Sequence, residues 1–286
     1  MIPMPAQPII EVHDLTKAFA AKPVLKGVSF QVASGELFAY LGPNGAGKTT
    51  TIRILTGLAR RDGGTVSLNG HDITGDPLAA KAQFGLVPQQ ANLDGELTVA
   101  ENLLIHGRLH RMSARRISSR IETLLDYVEM GERAGDQVNK LSGGLKRRLL
   151  IARALMHEPR ILFMDEPTVG LDPAIRRRIW GLIKKIQADG TTIFLTTHYI
   201  EEAEFMAQRV ALLDEGRIVV VDTAANLMAQ VGEWAVDTLA DNRLTTRYFR
   251  SRSEAGEYAL GQASGCTVRR VNLEDAFLAM TGRKIQ

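Results

Sequence analysis

Nine consecutive residues, Gly42-Pro43-Asn44-Gly45-Ala46-Gly47-Lys48-Thr49-Thr50, constrain the fold of this chain more than any other segment. They match the pattern G-x-x-x-x-G-K-[ST], whose glycines let successive backbone N–H groups turn toward a phosphate without a Cβ in the way. Such a loop needs a strand before it and a helix after it. Both flanks comply. Glu36 to Leu41 reads as a buried strand, and the residues after Gly47 read as a helix whose N-terminus adds the positive end of its dipole to the loop.

The rest of the chain supplies the sheet. Ile9 to Val12, Val28 to Val32 and Thr65 to Leu68 look like short strands of an antiparallel layer, and Phe84 to Val87 is a further apolar strand stopped by Pro88. From Leu97 to about Ala154 the apolar spacing turns helical, with Ile117, Ile121, Leu124, Leu125 and Val128 recurring at three and four residues. This predicts an inserted helical subdomain over about 92–157. The uninterrupted apolar runs Ile161 to Met164 and Thr191 to Thr197 suit strands buried on both faces of a parallel sheet. The segment Pro173 to Ala188 is long enough to be the helical crossover between them. Val210 to Leu213 and Arg217 to Val221 predict a closing hairpin, and 223–286 an extension of weaker character in which Trp234, Tyr248, Phe249 and Tyr258 form a small core. The fold class is therefore α/β, with a central mostly parallel sheet, an antiparallel β layer, an inserted helical subdomain and a small C-terminal extension.

Composition excludes several classes. A hydrophobic share of 45% with 23% charged residues belongs to a chain that buries a real core. The single cysteine, Cys266, rules out an intramolecular disulfide framework and reads as an unpaired structural thiol. No run approaches the roughly 18 apolar residues that span a bilayer, and the proline-rich start Met1 to Pro8 lacks the pattern of a secretory signal. A membrane role must come through a partner. The net charge of +3 is too mild to argue for nucleic acid, and the basic runs Arg108 to Arg120 and Lys146 to Arg148 lack interleaved aromatics, so they read as solvated helix faces.

Four further segments carry chemistry. Lys48 is placed to bring positive charge to the β- and γ-phosphates, and the Thr49 hydroxyl to ligate Mg2+. Asp165 ends an apolar strand, where a carboxylate reaches the metal, and the adjacent Glu166 can accept a proton from an attacking water. Gln89 follows a strand and a proline, so its amide can touch the metal or that water. His198 closes the strand ending at Thr197, at the carboxyl end of the sheet, and is assigned a γ-phosphate contact. Leu141-Ser142-Gly143-Gly144 precedes a basic helix; small residues at a helix start expose N–H groups and a hydroxyl, which makes a second anion site in the same chain.

These motifs, in this order over roughly residues 9–222, resemble the ATP-binding cassette, or ABC, ATPases. The resemblance implies that two cassettes close head to tail around two ATP molecules with Mg2+, Ser142 and Gly144 of one completing the site of Lys48 and Glu166 in the other. It implies an adenine-stacking role for Phe19, where the family more often has Tyr, and places Asp172, within Gly170-Leu171-Asp172-Pro173, in the loop that crosses the seam. Leu145 stands where many members have Gln. Both halves of the site are intact here, so a homodimer would hold two competent sites. A lone cassette is similar to the motor of a transporter whose multi-spanning permease is a separate polypeptide, and it would sit peripherally on the cytoplasmic side of the membrane. Asn92 to Val99 with Glu101 to Leu103, Thr196 to Ala203, and Asn272 to Phe277 with Met280 to Arg283 look like exporters of the drug-resistance and nodulation-factor type. An importer motor, or a soluble ATPase of translation or DNA repair, shares the catalytic residues. The soluble kinds usually carry paired cassettes or a long coiled coil, and neither feature is in this sequence.

Overall fold

A computed structural model describes residues 8–20, 22–240, 243–262 and 265–282; the start of the proline-rich arm and Arg283 of the tail motif lie outside the described residues. From the amino end the chain forms β1 (Pro8–Phe19), β2 (Lys22–Ala33), β3 (Leu37–Leu41), α1 (Lys48–Leu55), β4 (Gly63–Leu68), β5 (His71–Asp72), α2 (Pro77–Ala82) and β6 (Phe84–Val87). Three longer helices follow, α3 (Val99–Leu109), α4 (Ala114–Tyr127) and α5 (Gly143–Ala154). Then come β7 (Ile161–Asp165), α6 (Pro173–Ala188), β8 (Thr192–Thr197), α7 (Ile200–Met206), β9 (Arg209–Asp214) and β10 (Arg217–Asp222). The tail holds α8 (Ala224–Val231), β11 (Trp234–Ala240), β12 (Arg243–Phe249), α9 (Arg252–Leu260), β13 (Cys266–Arg270) and α10 (Leu273–Thr281).

Six strands in the order β10-β9-β3-β8-β7-β6 make the central sheet, parallel except for the β9–β10 hairpin. Its inner strands β3, β7 and β8 are buried on both faces because successive side chains point opposite ways and both directions are covered. Leu37, Ala39 and Leu41 of β3 join one core with the helices, while Phe38 and Tyr40 join the other, under the antiparallel sheet β2-β1-β4-β5. Phe30 of β2 stacks on Phe38 and Phe194 at 5.7 and 5.5 Å between ring centroids, so aromatic contacts cement the two sheets. Among the described residues no helix is long and apolar enough to cross a membrane.

The first strand runs well past the predicted Val12. A register shift between Val12 and Leu15, with Asp14 at φ 48°, inserts a bulge that breaks the alternation of apolar residues, so the pattern fades while the pairing continues to Phe19. Helices α3 and α5 start where the sequence offers caps: Thr98 and Glu101 form a capping box, and the Ser142 side chain accepts from Leu145 N.

The tail differs from its expectation. Trp234, Tyr248, Phe249 and Tyr258 are only half-buried, and Trp234 lies beneath Arg270 and Arg252 rather than inside a core. Among the tail's buried side chains, Leu273, Ala276 and Phe277 of α10 enter the main core beside Leu227 of α8 and Met206 of α7. A polar clamp ties the three-stranded sheet β12-β11-β13 to that helix. Arg269 reaches Asp275 at 2.6 and 2.9 Å and Asp237 at 2.7 Å, and Tyr248 donates to Asp275 at 3.3 Å. Burial works to raise the Asp275 carboxyl, but the bonds from Arg269 and Asn272 hold it below the ordinary carboxylate value of 3.8. Because the folded pKa is depressed, this stabilisation is present above pH 3.8 and is lost as pH falls through the folded value. Arg269→Met is expected to cost about 3 kcal/mol, since it leaves the buried Asp275 charge uncompensated, and thermal or urea unfolding reads it.

Candidate functional site

The phosphate loop leaves β3 and enters α1. Gly45 and Gly47 lie at φ 81° and 112°, and a Cβ on Gly47 would meet Leu25 Cδ2 at 2.7 Å, so the loop closes only with glycine. Gly42 is pinned differently: a Cβ there would sit 2.3 Å from the Leu213 carbonyl of β9. Helix α1 begins without a side-chain cap, which leaves its first N–H groups available to an anion. The cradle therefore fits a nucleotide's phosphates. Pro43, Asn44, Gly45 and Thr49 are accessible, Ala46 is buried and Thr50 half-buried.

Lys48 is nearly enclosed, donating to the Gly42 and Pro43 carbonyls at 2.8 and 3.1 Å and standing 3.3 Å from Glu166 Oε1. Glu166 is the meeting point of three motifs. Gln89 Nε2 donates to its Oε2 at 3.2 Å, and His198 Nδ1 approaches the same oxygen at 3.1 Å without hydrogen-bond alignment. Its backbone sits at φ 46°, an uncommon left-handed conformation for glutamate, held by Glu166 N donating to the Thr196 carbonyl at 3.1 Å. That turn is what separates the directions of the two adjacent acids.

Asp165 accepts from Thr196 Oγ1 at 2.6 Å and from Thr49 Oγ1 at 3.3 Å. Burial pushes its carboxyl up, against the lowering effect of those two hydroxyls. A hydroxyl and a half-compensated carboxylate are hard oxygen donors, so the set fits Mg2+. Gln89, Lys48, Thr49, Asp165, Glu166 and His198 are thus brought together from four places in the sequence.

The signature is not among them. Ser142 and Gly143 are exposed at the start of α5; Gly143 faces Leu171, and a Cβ on Gly144 would meet Ile175 Cγ2 at 2.7 Å. Asp172 is exposed as well, capping α6 by accepting from Ile175 N at 2.9 Å. The seam-loop and signature residues therefore form one outward surface, packed on each other. Among the described residues no hydrogen bond or ion pair joins Ser142, Gly143, Gly144 or Asp172 to the phosphate loop. Phe19 is 50% exposed at the end of β1, with Lys17 Nζ 5.2 Å from its ring centre, and its free face suits a stacking partner.

Three positioning residues escaped the sequence reading. Thr196 holds both acids, as described. Arg147 is buried and donates to the Pro88 and Gln89 carbonyls at 2.7 and 2.9 Å, coupling the signature helix to the glutamine turn. The run Lys146 to Arg148 is thus not the solvated face it resembles, since Arg148 also bonds the Val128 carbonyl and Glu129. Its only sequence signal was position: Arg147 falls on the same helical face as Gly144 and Ile151. Glu202, fully buried, accepts from Thr168 Oγ1 at 2.8 Å and Trp180 Nε1 at 3.0 Å, and burial raises its carboxyl. It ties the segment after the two acids to α6 and α7. Arg147→Met is expected to lower ATP turnover about 10- to 100-fold with little change in nucleotide affinity, because Gln89 loses its backing. Steady-state hydrolysis beside a nucleotide-binding titration separates the two.

Comparison with known proteins agrees with this geometry. Residues 25–169 match the family described as ABC transporter. The chain is similar to the Nod factor export ATP-binding protein I of Paraburkholderia xenovorans, 40% identical over 97% of this chain and 98% of that protein. It is also similar to the linearmycin resistance ATP-binding protein LnrL of Bacillus subtilis, 39% identical over 78% of this chain and 72% of that protein. Among solved structures, an ATP-binding subunit of an ABC transporter superimposes with a TM-score of 0.70 at 32% identity, covering 78% of this chain and 92% of that one. A buried lysine on a glycine loop, two acids at one strand end and these likenesses have one reading: the chain belongs to the ABC transporter family, as an ATP-binding subunit with ATPase activity.

Proposed function

We propose that two copies of this chain hydrolyse Mg-ATP in shared sites and that their closure drives export through a separate membrane-spanning permease. The observation that carries the shared site is the separation described above. One chain holds a phosphate cradle with its acids and, on another surface, an exposed helix start with the small residues and hydroxyl of a second anion site. Neither half reaches the other in one copy.

Within the site, the chain's own groups divide the work. Lys48, whose ammonium rests on two loop carbonyls, exchanges them for phosphate oxygens and offsets their charge. Glu166 takes the proton of the attacking water, Gln89 and His198 orient that water and the γ-phosphate, and Phe19 stacks on the adenine. Thr49 and Asp165 hold Mg2+, which when bound supplies Lewis-acid stabilisation of the phosphate charge. From the partner copy, Ser142, Gly143 and Gly144 present N–H groups and a hydroxyl to the γ-phosphate, with Asp172 at the seam.

Relatives named for Nod factor export and for linearmycin and daunorubicin resistance support export rather than uptake. The cassette would lie on the cytoplasmic face, held there by the permease, which also selects the cargo. Its residues 9–222 make the catalytic unit, with the helical subdomain over about 92–157, and 223–286 an extension. The test is affinity purification of tagged Glu166→Gln from detergent-solubilised native membranes with Mg-ATP. Recovery of a multi-spanning membrane protein is expected; recovery of ribosomes or DNA-processing proteins would replace the transport reading with a soluble one.

A further inference from the structure

Outside the nucleotide site the helical segment carries a cluster with no part in the chemistry above. His106 on α3, His110 at the end of that helix and His157 between α5 and β7 bring one nitrogen each to within 4.8 Å of one another. The spacing of four residues puts the first two on one face of the helix. The third comes from the segment after α5, oriented by a hydrogen bond: His157 Nε2 lies 3.0 Å from the Phe84 carbonyl. A ring nitrogen that donates to a carbonyl fixes the tautomer and leaves Nδ1 as the lone-pair atom, the arrangement in which metal-binding imidazoles are held.

Two of the nitrogens in the cluster, His106 Nε2 and His157 Nδ1, are buried without any hydrogen-bond partner. Packing alone explains a stacked pair, and His110 and His157 do stack, at 3.7 Å between centroids. It does not explain two orphaned buried nitrogens on rings that also approach one another this closely. We propose that His106, His110 and His157 bind one divalent transition-metal ion of the zinc type.

The donor set fixes the class of ion. Three imidazoles with no carboxylate suit zinc, copper, nickel or cobalt and not magnesium or calcium. A tetrahedral ion with nitrogens about 2.0–2.1 Å away holds them about 3.3 Å apart, with water as a fourth ligand. Closing from the present spread takes a tilt of His110, whose side chain is exposed and, among the described residues, makes ring contacts with His106 and His157. The neighbouring cations are themselves engaged, Arg153 with Asn92 and Arg120 with the Leu155 carbonyl and Glu158. Since Phe84 opens β6, the strand that leads to Gln89, an ion here would pin α3 to the catalytic sheet.

The test is titration of the untagged full chain, stripped by chelator, with Zn2+ alone in the absence of nucleotide. The expected result is about one equivalent bound, a higher Tm with Zn2+ present, and visible ligand-field bands when Co2+ replaces it. His110→Ala, at an exposed position that leaves the apo Tm unchanged, is expected to weaken binding at least about 10-fold and abolish the Tm shift. Asp165→Asn is expected to change neither. Absence of stoichiometric uptake, or uptake equal in His110→Ala, would overturn the proposal, as would loss of uptake in Asp165→Asn, which would move the ion to the phosphate site.

Discussion

Glu166→Gln is expected to bind ATP with near-normal affinity, to hydrolyse it at least about 100-fold more slowly, and to accumulate as a nucleotide-bound dimer. The reasoning starts from its surroundings. Glu166 is 7% exposed, contacted by the ammonium of Lys48, the amide of Gln89 and the ring of His198, so it is the one base on which the other motifs converge. An amide has the same shape and keeps a carbonyl oxygen for Gln89, but it cannot take a proton at neutral pH. The Lys48 ammonium loses its pairing with Glu166 and becomes, if anything, freer for phosphate. Nucleotide binding, hydrolysis and size-exclusion behaviour with Mg-ATP read the three claims separately. Near-normal turnover would show that the proton goes elsewhere.

Ser142→Arg is expected to abolish hydrolysis in the homodimer while leaving nucleotide binding to Lys48's own loop intact. Locally the change is tolerable. Ser142 is exposed, and losing its cap to Leu145 N while placing a cation at a helix start costs about 1–2 kcal/mol, well within the stability of a chain this size. Its consequence lies across the seam, where a long cation replaces a small hydroxyl facing the partner's phosphate. Mixing sharpens the test. Neither Ser142→Arg nor Lys48→Ala turns over alone, yet a mixed dimer holds one site with intact halves from two chains. An equal mixture should recover about a quarter of the wild-type sites if partners pair at random. No recovery, or full activity in a demonstrably monomeric sample, would sink the shared-site reading.

The candidate site of this chain was legible because its motifs are local. A glycine loop with its lysine, an acid pair after an apolar run and a histidine closing the next run are each written in a few adjacent residues, and the strand–loop–helix context confines them to the carboxyl end of a sheet. The doubly buried strands were legible for the same reason, since Ile161 to Met164 and Ile193 to Thr197 carry no polar alternation. Where local pattern and pairing part company, the reading shortened or failed. The bulge at Asp14 hid the second half of β1, and the tail's aromatics, apolar enough for a core, stay half-buried, Trp234 and Tyr258 under arginines, while α10 enters the main core.

The sequence by itself determined the α/β fold and pointed to the phosphate loop with its lysine, the acid pair and the small-residue signature as the candidate site. Only the tertiary structure decided that Arg147 is a buried strut behind Gln89, that Thr196 holds both acids, and that three histidines meet beside β6. The physical reason is range. Glycine conformations, caps and hydrophobic period are set by neighbours a few residues away, whereas a guanidinium's choice between water and a carbonyl more than fifty residues distant depends on which helix packs on which strand, and no local pattern records that.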